Sequence, residues 1–429
     1  MYAAAISNSA TERDDEPQPL RLPRDVGPYT LFAPIGRGGM AELFLARRQT
    51  ELGATRRVVV KLILPAFADD PRFSEMLVRE AKLAAGLSHR HVVQVFDLGR
   101  HEDHLFIAME HVEGLDLAAI VRLCAERNEP LPLAHALAIV SDVLEGLDHA
   151  HRRRGEDGAP LGLVHRDVSP SNVLVSYEGE VKLCDFGIAH ANEVHRHVSE
   201  EDARNEALKG KAGYMSPEHA RAEPLDARAD VFAAGILLWE LLAGRRLYLP
   251  KGPVPLLEQA RLAVVPPLPE RGIPEHAALE AIVRKALSAD VNDRYPSAAA
   301  FARALEDYLV ATRLLASRRE LGAWLTTTFG TALSDELRLT ESQLPPARPS
   351  SRPVSASGVV RRSANANVVV PPAPKLPTGL ESIAMADPTE PPAASDDELI
   401  RWARKRGWVT FGIFCFLGIA TTTVFLLVR

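Results

Sequence analysis

The residues best suited to chemistry fall into three segments of the sequence. The first is the glycine-rich stretch IGRGGMAELFLA, which starts at Ile35 and precedes a lysine, Lys61, inside the apolar run VVVKLI. The other two are LVHRDVSPSNVLV at 163–175 and VKLCDFGIA at 181–189, where acids and an amide adjoin short apolar runs. Polar sites are commonly supported by a hydrophobic core in this way. Because a glycine-rich turn between strands lets backbone N–H groups approach triphosphate oxygens, phosphate chemistry is the first hypothesis.

The glycines and the lysine each have a second interpretation. A GxG pair before a strand also forms ordinary tight hairpin turns, and Lys61 could be an edge-strand lysine that extends to water. A dinucleotide-binding fingerprint does not fit, because a helix should follow the glycines and a strand is predicted there. If Lys61 points inward, its ammonium needs a partner, and the helical segment that follows offers Glu75 and Glu80. Glu80 is the better placed, because apolar positions surround it.

The elements that must position these residues follow from the apolar patterns. The runs at 56–64 and 104–112 predict buried strands, and 135–151 has the apolar spacing of a helix. Strands dominate the first part of the globular region and helices the second. Proline-rich sequence is absent from Tyr29 to about Arg313, so this range is expected to fold as the globular part.

Composition narrows the classes of function. With 46% apolar and 25% charged residues over 429 positions, the chain can bury a core and is not disordered throughout. The net charge of -6, from 50 basic and 56 acidic residues, gives no basic footprint for nucleic acid. Three scattered cysteines form neither a disulfide framework nor a CxxC metal site, which indicates a reducing compartment.

The C-terminal part has a different composition. Eleven prolines fall between Pro345 and Pro392, which predicts a disordered linker. RWARKRGW follows, and Val409–Val428 then carries no charge over twenty residues, enough for about 30 Å of helix. A buried core helix is the alternative to a membrane span. Because most of the flanking basic residues precede the span, the preceding domain is expected on the cytoplasmic side, with no external domain and no cleaved secretory signal.

Together, the segments resemble the HRDxxxxN catalytic loop and DFG motif of the eukaryotic-like protein kinases, preceded in order by that family's glycine-rich loop and strand lysine. GYMSPEHA from Gly213 is similar to the family's APE segment, and the likeness covers about 28–313. The sequences of these motifs most resemble those of bacterial Ser/Thr kinases. The resemblance implies an α+β, two-lobed fold with a β-rich N-lobe at 28–112 and a helical C-lobe at 113–313. Around these lobes we predict a tail at 1–27, a helical extension at 314–340, the linker at 341–400, a basic juxtamembrane segment at 401–407 and a transmembrane helix at 408–428.

The resemblance also implies roles for single residues, with ATP and Mg²⁺ as substrate and cofactor. Lys61 would pair the α and β phosphates and be held by Glu80, and Asp167 would orient the substrate hydroxyl and accept its proton. Asn172 and Asp185 would hold Mg²⁺, which prefers oxygen ligands. The structural residues would be Glu218 paired with Arg294, and Asp230 anchoring the catalytic loop. The other ATP-contacting positions would be Ile35, Gly36, Arg37, Gly38, Gly39, Met40, Ala41, Leu43, Glu110 and Val112.

The sequence departs from the family pattern at three positions. Ala41 replaces the third glycine of the loop, and Ser169 replaces the catalytic-loop lysine. Lys211 stands where the family has a threonine, seven residues before Glu218. We hypothesise that Lys211 supplies the cation missing at Ser169, although it could also be a solvated activation-loop charge. Without such a cation, Ser169 would favour a pseudokinase.

Arg166 precedes the catalytic aspartate, and in this family such an arginine usually binds a phosphate on the activation loop. Ser199 is the predicted phosphorylation site, unless the acids at 200–202 supply constitutive negative charge. The expected protein is a single-pass kinase of the inner (cytoplasmic) membrane that phosphorylates Ser and Thr of protein substrates. Self-association on the bilayer would allow phosphorylation in trans. A nucleotide-binding scaffold is the alternative, and the YMSPE segment disfavours a small-molecule phosphotransferase.

Overall fold

The computed structural model describes residues 21–49, 54–102, 104–155, 157–186, 211–249, 254–314 and 316–344. Within these ranges the chain forms two lobes, which confirms the predicted α+β kinase-like architecture. None of the described helices has both the length and the apolar composition that a bilayer crossing requires. The predicted span at 408–428, the basic segment at 401–407 and Ser199 lie outside the described residues.

The N-lobe is a six-stranded antiparallel sheet in the order β1-β2-β3-β4-β6-β5. Its inner strand β4 buries Val58, Val60 and Leu62, because alternate side chains of a strand share one face. β1 already pairs with β2, so the folded part begins before residue 28 and the predicted tail boundary is a few residues too late. The strands are β1 Arg24–Val26, β2 Tyr29–Arg37, β3 Ala41–Gln49, β4 Thr55–Ile63, β5 Val95–His101 and β6 His104–Glu110.

Two helices follow β4, α1 at Pro65–Ala68 and α2 at Pro71–Ala85. Asp70 caps α2 by accepting hydrogen bonds from the backbone N–H groups of Arg72 and Phe73, and Pro71 occupies the first turn, where no N–H is needed. Phe73, Leu77 and Ala81 then face one side of the helix and pack with Ile63 and Ile107. Helix α2 is therefore fixed against the sheet that carries Lys61.

The C-lobe is built around two long helices, α4 at Leu133–His151 and α6 at Ala227–Ala243. Almost every side chain of α6 is buried, including Trp239, so this helix is apolar on all sides rather than along one stripe. A small sheet has the strand order β7-β8-β9. Its strand β9 packs against α4, and the N–H of Val93 donates to the carbonyl of Leu183 in β9. The elements are β7 Gly114–Asp116, α3 Leu117–Arg127, α4 Leu133–His151, β8 Val173–Ser176, β9 Val181–Leu183, α5 Pro217–Ala220, α6 Ala227–Ala243, α7 Leu256–Leu262, α8 His276–Ala286 and α9 Ala298–Thr312.

Two further helices form what we call the C-terminal extension, residues 316–344. Helix α10, Arg318–Phe329, starts with a capping box between Ser317 and Glu320. It buries Leu321 and Leu325 in the C-lobe core. Helix α11, Ala332–Ser342, continues past the predicted end of the helical extension at 340.

Helix α11 lies on the N-lobe. Leu337 and Leu344 pack against the buried side chains Phe32, Ala33 and Leu45 of β2 and β3. Polar contacts add to this packing, because Glu341 pairs with Arg57, and both Ser334 and Arg338 bond to Glu113 in the connection between the lobes. The C-terminal extension therefore bridges the two lobes.

Candidate active site

The buried lysine of β4 faces the C-lobe. Lys61 is 8% exposed, and its Nζ lies 2.9 Å from Oδ1 of Asp185, which follows β9. A buried ammonium requires such a partner, so the alternative of a lysine extending to water does not apply. Glu80, the predicted partner, lies in α2, but its side chain is outside the described part of the structure.

The glycine-rich turn joins β2 to β3. The N–H of Gly38 donates to the carbonyl of Ala41 at 2.8 Å, which closes the turn. A Cβ added at Gly36 or Gly38 would meet only an ordinary contact at 3.5 Å, and neither residue has a positive φ. The fold itself therefore does not demand glycine at either position. Glycine here leaves room for a group from outside the chain, which fits the predicted phosphates.

The other predicted ATP-contacting positions differ in their exposure and in their contacts. Ile35 is 42% exposed, whereas Ala41 is buried and Leu43 lies opposite Lys61 in the β3–β4 register. Arg37 pairs with Glu42 at 3.4 Å across the turn. Gly39 lies in the turn between β2 and β3, and Met40 and Val112 pack on the apolar cluster under the sheet.

The catalytic-loop segment is held from below by one buried carboxylate. Asp230 accepts hydrogen bonds from the backbone N–H groups of His165 at 2.7 Å and Arg166 at 2.8 Å, and from His151 Nε2 at 2.7 Å. Burial raises the pKa of Asp230, but the hydrogen bond and charge of His151 outweigh it and hold the pKa below its usual range. The carboxylate therefore remains ionised and fixes the loop.

His165 connects this loop to the segment after β9. Its Nε2 donates to the carbonyl of Cys184 at 3.0 Å, and its Nδ1 accepts from the N–H of Asp167 at 3.2 Å. Phe186 packs against the same ring, with centroids 4.5 Å apart. Arg166 and Asp185 both have left-handed backbone, at φ 66° and φ 62°. Such conformations are costly for these residue types and cluster at functional sites.

The β8–β9 hairpin brings Asn172 and Asp185 together. Asn172 precedes β8 and Asp185 follows β9, and the N–H of Cys184 donates to the carbonyl of Asn172 at 2.9 Å. The side-chain amide of Asn172 donates to the carbonyl of Asp167 at 2.8 Å. Because this bond uses Nδ2, the amide oxygen is the atom left to bind a cation. Oxygen atoms from Asn172 and Asp185 fit a hard cation such as Mg²⁺.

The position of the missing lysine is buried and polar. Ser169 is 5% exposed, and its Oγ lies 3.1 Å from Oγ of Ser171. Lys211 begins the 3₁₀ turn Lys211–Tyr214, but its side chain is outside the described residues. The hypothesis that Lys211 replaces the missing cation therefore stays a prediction.

Glu218 and Arg294 form a bidentate ion pair in the C-lobe. Both oxygens of Glu218 accept from the guanidinium at 2.7 Å, and the Arg294 side chain is fully buried. Burial alone would raise the pKa of Glu218, but the bonds from Arg294 hold it below its usual range.

The sequence interpretation missed a second buried lysine. Lys182 in β9 donates to Glu110 at 3.0 Å, and the N–H of Gln94 donates to the same carboxylate at 3.2 Å. The signal was present, because Lys182 lies in an apolar strand just as Lys61 does. The carboxylate of Glu110 is therefore already bonded within the protein, as is its backbone N–H, which donates to the carbonyl of Gln94 at 2.9 Å.

Comparison with known proteins places this geometry in a family. Residues 29–301 match the family described as the protein kinase domain. The tyrosine-protein kinase MasK of Myxococcus xanthus is 40% identical over 322 residues, which cover 74% of this chain and 48% of the relative. The serine/threonine-protein kinase PknB of Mycobacterium leprae is 36% identical over 276 residues, covering 63% of this chain and 41% of the relative. The chain thus spans about half the length of the curated relatives it matches.

A solved structure shows the same fold. The crystal structure of the Mycobacterium tuberculosis PknI kinase domain aligns with a TM-score of 0.51 at 29% identity, over 67% of this chain and 98% of that one. The matched family range contains most of both lobes, the glycine-rich turn, Lys61, Asp167, Asn172 and Asp185. The chain belongs to the protein kinase domain family and has bacterial serine/threonine kinases among its homologues.

Proposed function

We propose that this chain is a membrane-tethered serine/threonine kinase that transfers the γ-phosphate of ATP to protein hydroxyl groups. The observation that carries the proposal is the meeting of the lobes at Lys61 and Asp185, whose charged atoms are 2.9 Å apart, beside the bonded pair Asn172 and Asp167. The proposal is supported by the ammonium of Lys61, the carboxylate of Asp185 and the amide of Asn172, which come from segments that contact one another.

The roles follow from the charge that phosphoryl transfer must handle. In the transition state, negative charge spreads over the oxygens of the transferred group, so positioning and neutralisation supply most of the catalysis. Lys61 would neutralise phosphate oxygens from the N-lobe side, and Asp167 would orient the acceptor hydroxyl and take its proton. Asn172 and Asp185 would hold Mg²⁺, which adds positive charge at the phosphates when it is bound.

The proposal assigns the hydroxyl groups of Ser and Thr, rather than that of Tyr, as phosphate acceptors. The SPSN context of Ser169 and the YMSPE segment favour Ser and Thr, and PknB is named a serine/threonine kinase. MasK is named a tyrosine kinase, so tyrosine is the competing acceptor. Analysis of the phosphorylated amino acids distinguishes the two.

The catalytic cation near Ser169 is the second point. Because Ser169 is buried and carries no charge, we assign the missing ammonium to Lys211, 42 positions further along the chain. A pseudokinase scaffold is the second candidate function, and the specific observation that favours it is Ser169 itself. Such a scaffold would bind ATP without turnover.

Membrane attachment is the third point, and it rests on the sequence of 401–428. The uncharged stretch at 409–428 with basic residues before it supports a single span with the kinase domain in the cytoplasm. Flotation of the full chain with lipid vesicles, compared with a chain ending at residue 400, tests the anchor. If both float equally, the span is not the attachment.

The experiment for the activity uses the full chain in detergent with labelled ATP and Mg²⁺, beside Asp185→Ala. We expect phosphate on Ser or Thr of the chain and of a generic acceptor protein, lost in the variant, with Ser199 among the modified positions. Binding of ATP without any transfer would select the scaffold. Phosphate on tyrosine alone would overturn the Ser/Thr assignment while keeping the kinase.

A further inference from the structure

A cluster of one histidine and two carboxylates lies outside the kinase cleft, where α4 meets the segment between α2 and β5. His91 is in that segment and is 3% exposed. Asp142 and Glu145 project from α4 three residues apart, so they share a helix face. Among the described residues, these three are the group whose ligand atoms all lie within 4.8 Å of one another.

The tautomer of His91 is fixed by the backbone. Its Nδ1 lies 2.9 Å from the carbonyl oxygen of Val181, so Nδ1 carries the hydrogen that it donates. In the neutral ring, Nε2 therefore holds a lone pair. This nitrogen is buried and has no hydrogen-bond partner among the described residues. A histidine that donates one nitrogen to a carbonyl and presents the other to carboxylates is arranged like a metal ligand.

The distances suit a shared cation better than hydrogen bonds. His91 Nε2 lies 3.5 Å from Oδ1 of Asp142 and 3.4 Å from Oε2 of Glu145. Ordinary N–H···O bonds are about 2.7–3.2 Å long, so both contacts are too long. Two ligands held at about 2.0–2.2 Å from one tetrahedral ion are separated by about 3.3–3.6 Å, which matches both contacts.

The surroundings hold the three ligands in place. The N–H of Leu183 donates to the carbonyl of His91 at 2.9 Å. Helix α4 approaches the same carbonyl closely, because a Cβ on Gly146 would lie 2.7 Å from it. The side chains of Asp142 and Glu145 are 28% and 54% exposed, so a cation can enter from solvent and keep water as a further ligand.

We propose that His91, Asp142 and Glu145 bind a divalent cation of the zinc class. One imidazole nitrogen with two carboxylate oxygens is a donor set suited to Zn²⁺, whereas Mg²⁺ prefers oxygen ligands throughout. The ion would join the segment after α2 to a C-lobe helix. It would be distinct from the Mg²⁺ expected at Asn172 and Asp185, and the site does not depend on kinase activity.

The test titrates the metal-free full chain with Co²⁺, whose visible spectrum reports coordination, and with Zn²⁺ by calorimetry. Both titrations are repeated in Asp185→Ala, which removes a ligand of the catalytic cation and leaves the proposed site intact. We expect one equivalent bound per chain in both backgrounds and a higher Tm with Zn²⁺.

Two variants remove ligands while preserving the fold. His91→Asn keeps a donor for the carbonyl of Val181 but deletes Nε2, and Glu145→Gln changes an exposed carboxylate. We expect affinity to fall by at least about 100-fold in the first and about 10-fold in the second. His276→Gln is the matched control, because among the described residues the ion-pair partner of His276 is the single carboxylate of Glu280, at 3.9 Å, and the change should leave the binding unchanged.

The proposal is overturned by any of three results. The chain binds no equivalent of Co²⁺ or Zn²⁺ that persists in Asp185→Ala, or His91→Asn and Glu145→Gln bind as tightly as the unchanged chain, or His276→Gln loses the same binding.

Discussion

Lys61 of the N-lobe and Asp185 of the C-lobe form a direct ion pair, with Nζ and Oδ1 2.9 Å apart. Both residues are proposed to act on the phosphates and their cation, so we expect ATP and Mg²⁺ to compete with this contact when they bind. Lys61 reaches into the cleft from the N-lobe and Asp185 from the C-lobe. Their charged atoms meet in the space that the phosphates would occupy.

Replacing Lys61 should lower both kcat and stability, whereas replacing the other buried lysine, Lys182, should lower stability alone. Lys61→Met is expected to lower kcat by about 100- to 1,000-fold, because a positioned charge at the transition state is lost. The matched control is Lys182→Met, which also removes a buried lysine bonded to a carboxylate, at 3.0 Å. Both variants should unfold at lower denaturant, but kcat should collapse only in Lys61→Met. Equal losses of kcat would argue that Lys61 is merely structural.

The hypothesis that Lys211 supplies the ammonium missing at Ser169 can be tested by returning a lysine to position 169. Lys211→Met should lower kcat by about 100-fold. Adding Ser169→Lys to that variant should recover much of the activity, because the ammonium returns to the catalytic loop. Steady-state phosphotransfer to one acceptor protein measures both. If Lys211→Met is fully active while Asp167→Asn is inactive, Lys211 takes no part in catalysis.

The ion pair of Glu218 and Arg294 should be important for stability. Glu218→Ala leaves a buried guanidinium without its partner, and the loss of unfolding free energy should be about 3–5 kcal/mol. Denaturant unfolding at pH 7 measures it. Glu223→Ala, at an exposed residue 3.9 Å from Arg221, should cost less than about 1 kcal/mol. Similar losses in the two variants would contradict the role of burial.

The same pair predicts a dependence on pH. The pKa of Glu218 is lowered in the folded chain from an ordinary value of 4.5, so the folded state favours the ionised carboxylate. Its contribution to stability is complete above about pH 4.5 and is lost as the pH falls through the lowered folded value. The unfolding free energy of Glu218→Gln should therefore decline less on acidification than that of the unchanged chain. If the unfolding free energies of the variant and of the unchanged chain fall equally as the pH is lowered, Glu218 is not a source of the pH dependence.

The docking of α10 can be disturbed by one methyl group. A Cβ on Gly322 would lie 2.6 Å from the carbonyl oxygen of Tyr177, so Gly322→Ala should push α10 away from the C-lobe. We expect a loss of about 1–3 kcal/mol and faster proteolysis between α9 and α10. Ala323→Leu adds more volume at an exposed position of the same helix and should have little effect. Unchanged proteolysis of Gly322→Ala would show that α10 tolerates the shift.

The sequence was sufficient to predict the two lobes and the segments that carry the candidate site. Lys61 was predictable because an ammonium in an apolar strand must find a partner, and Asn172 and Asp185 because they flank two short apolar strands. The contact of Lys61 with Asp185 was not predictable, because only the packing of the lobes brings this carboxylate to the ammonium. The pairing of Lys61 with Glu80 stays a prediction, because the Glu80 side chain lies outside the described residues. Lys182 was missed although the same signal applied to it.

Contacts between distant segments account for the rest. Nothing near Glu113 in the sequence indicates that Ser334 and Arg338, more than 200 positions later, bond to it. Similarly, His91 is one of fourteen histidines, and its orphaned nitrogen appears only when α4 is packed against it. Periodicity predicts that α10 and α11 are helices but not which lobe each contacts.

The C-terminal extension changes how a force would enter this kinase. The family match ends at residue 301 in the C-lobe, but the last described helix ends on the N-lobe, with Leu344 packed on β2 and β3. A pull on the chain beyond that point acts first on α11 and then, through Ser334 and Arg338, on Glu113 in the connection between the lobes. Tension would therefore reach the cleft at the connection between the lobes, while α10 stays packed in the C-lobe core.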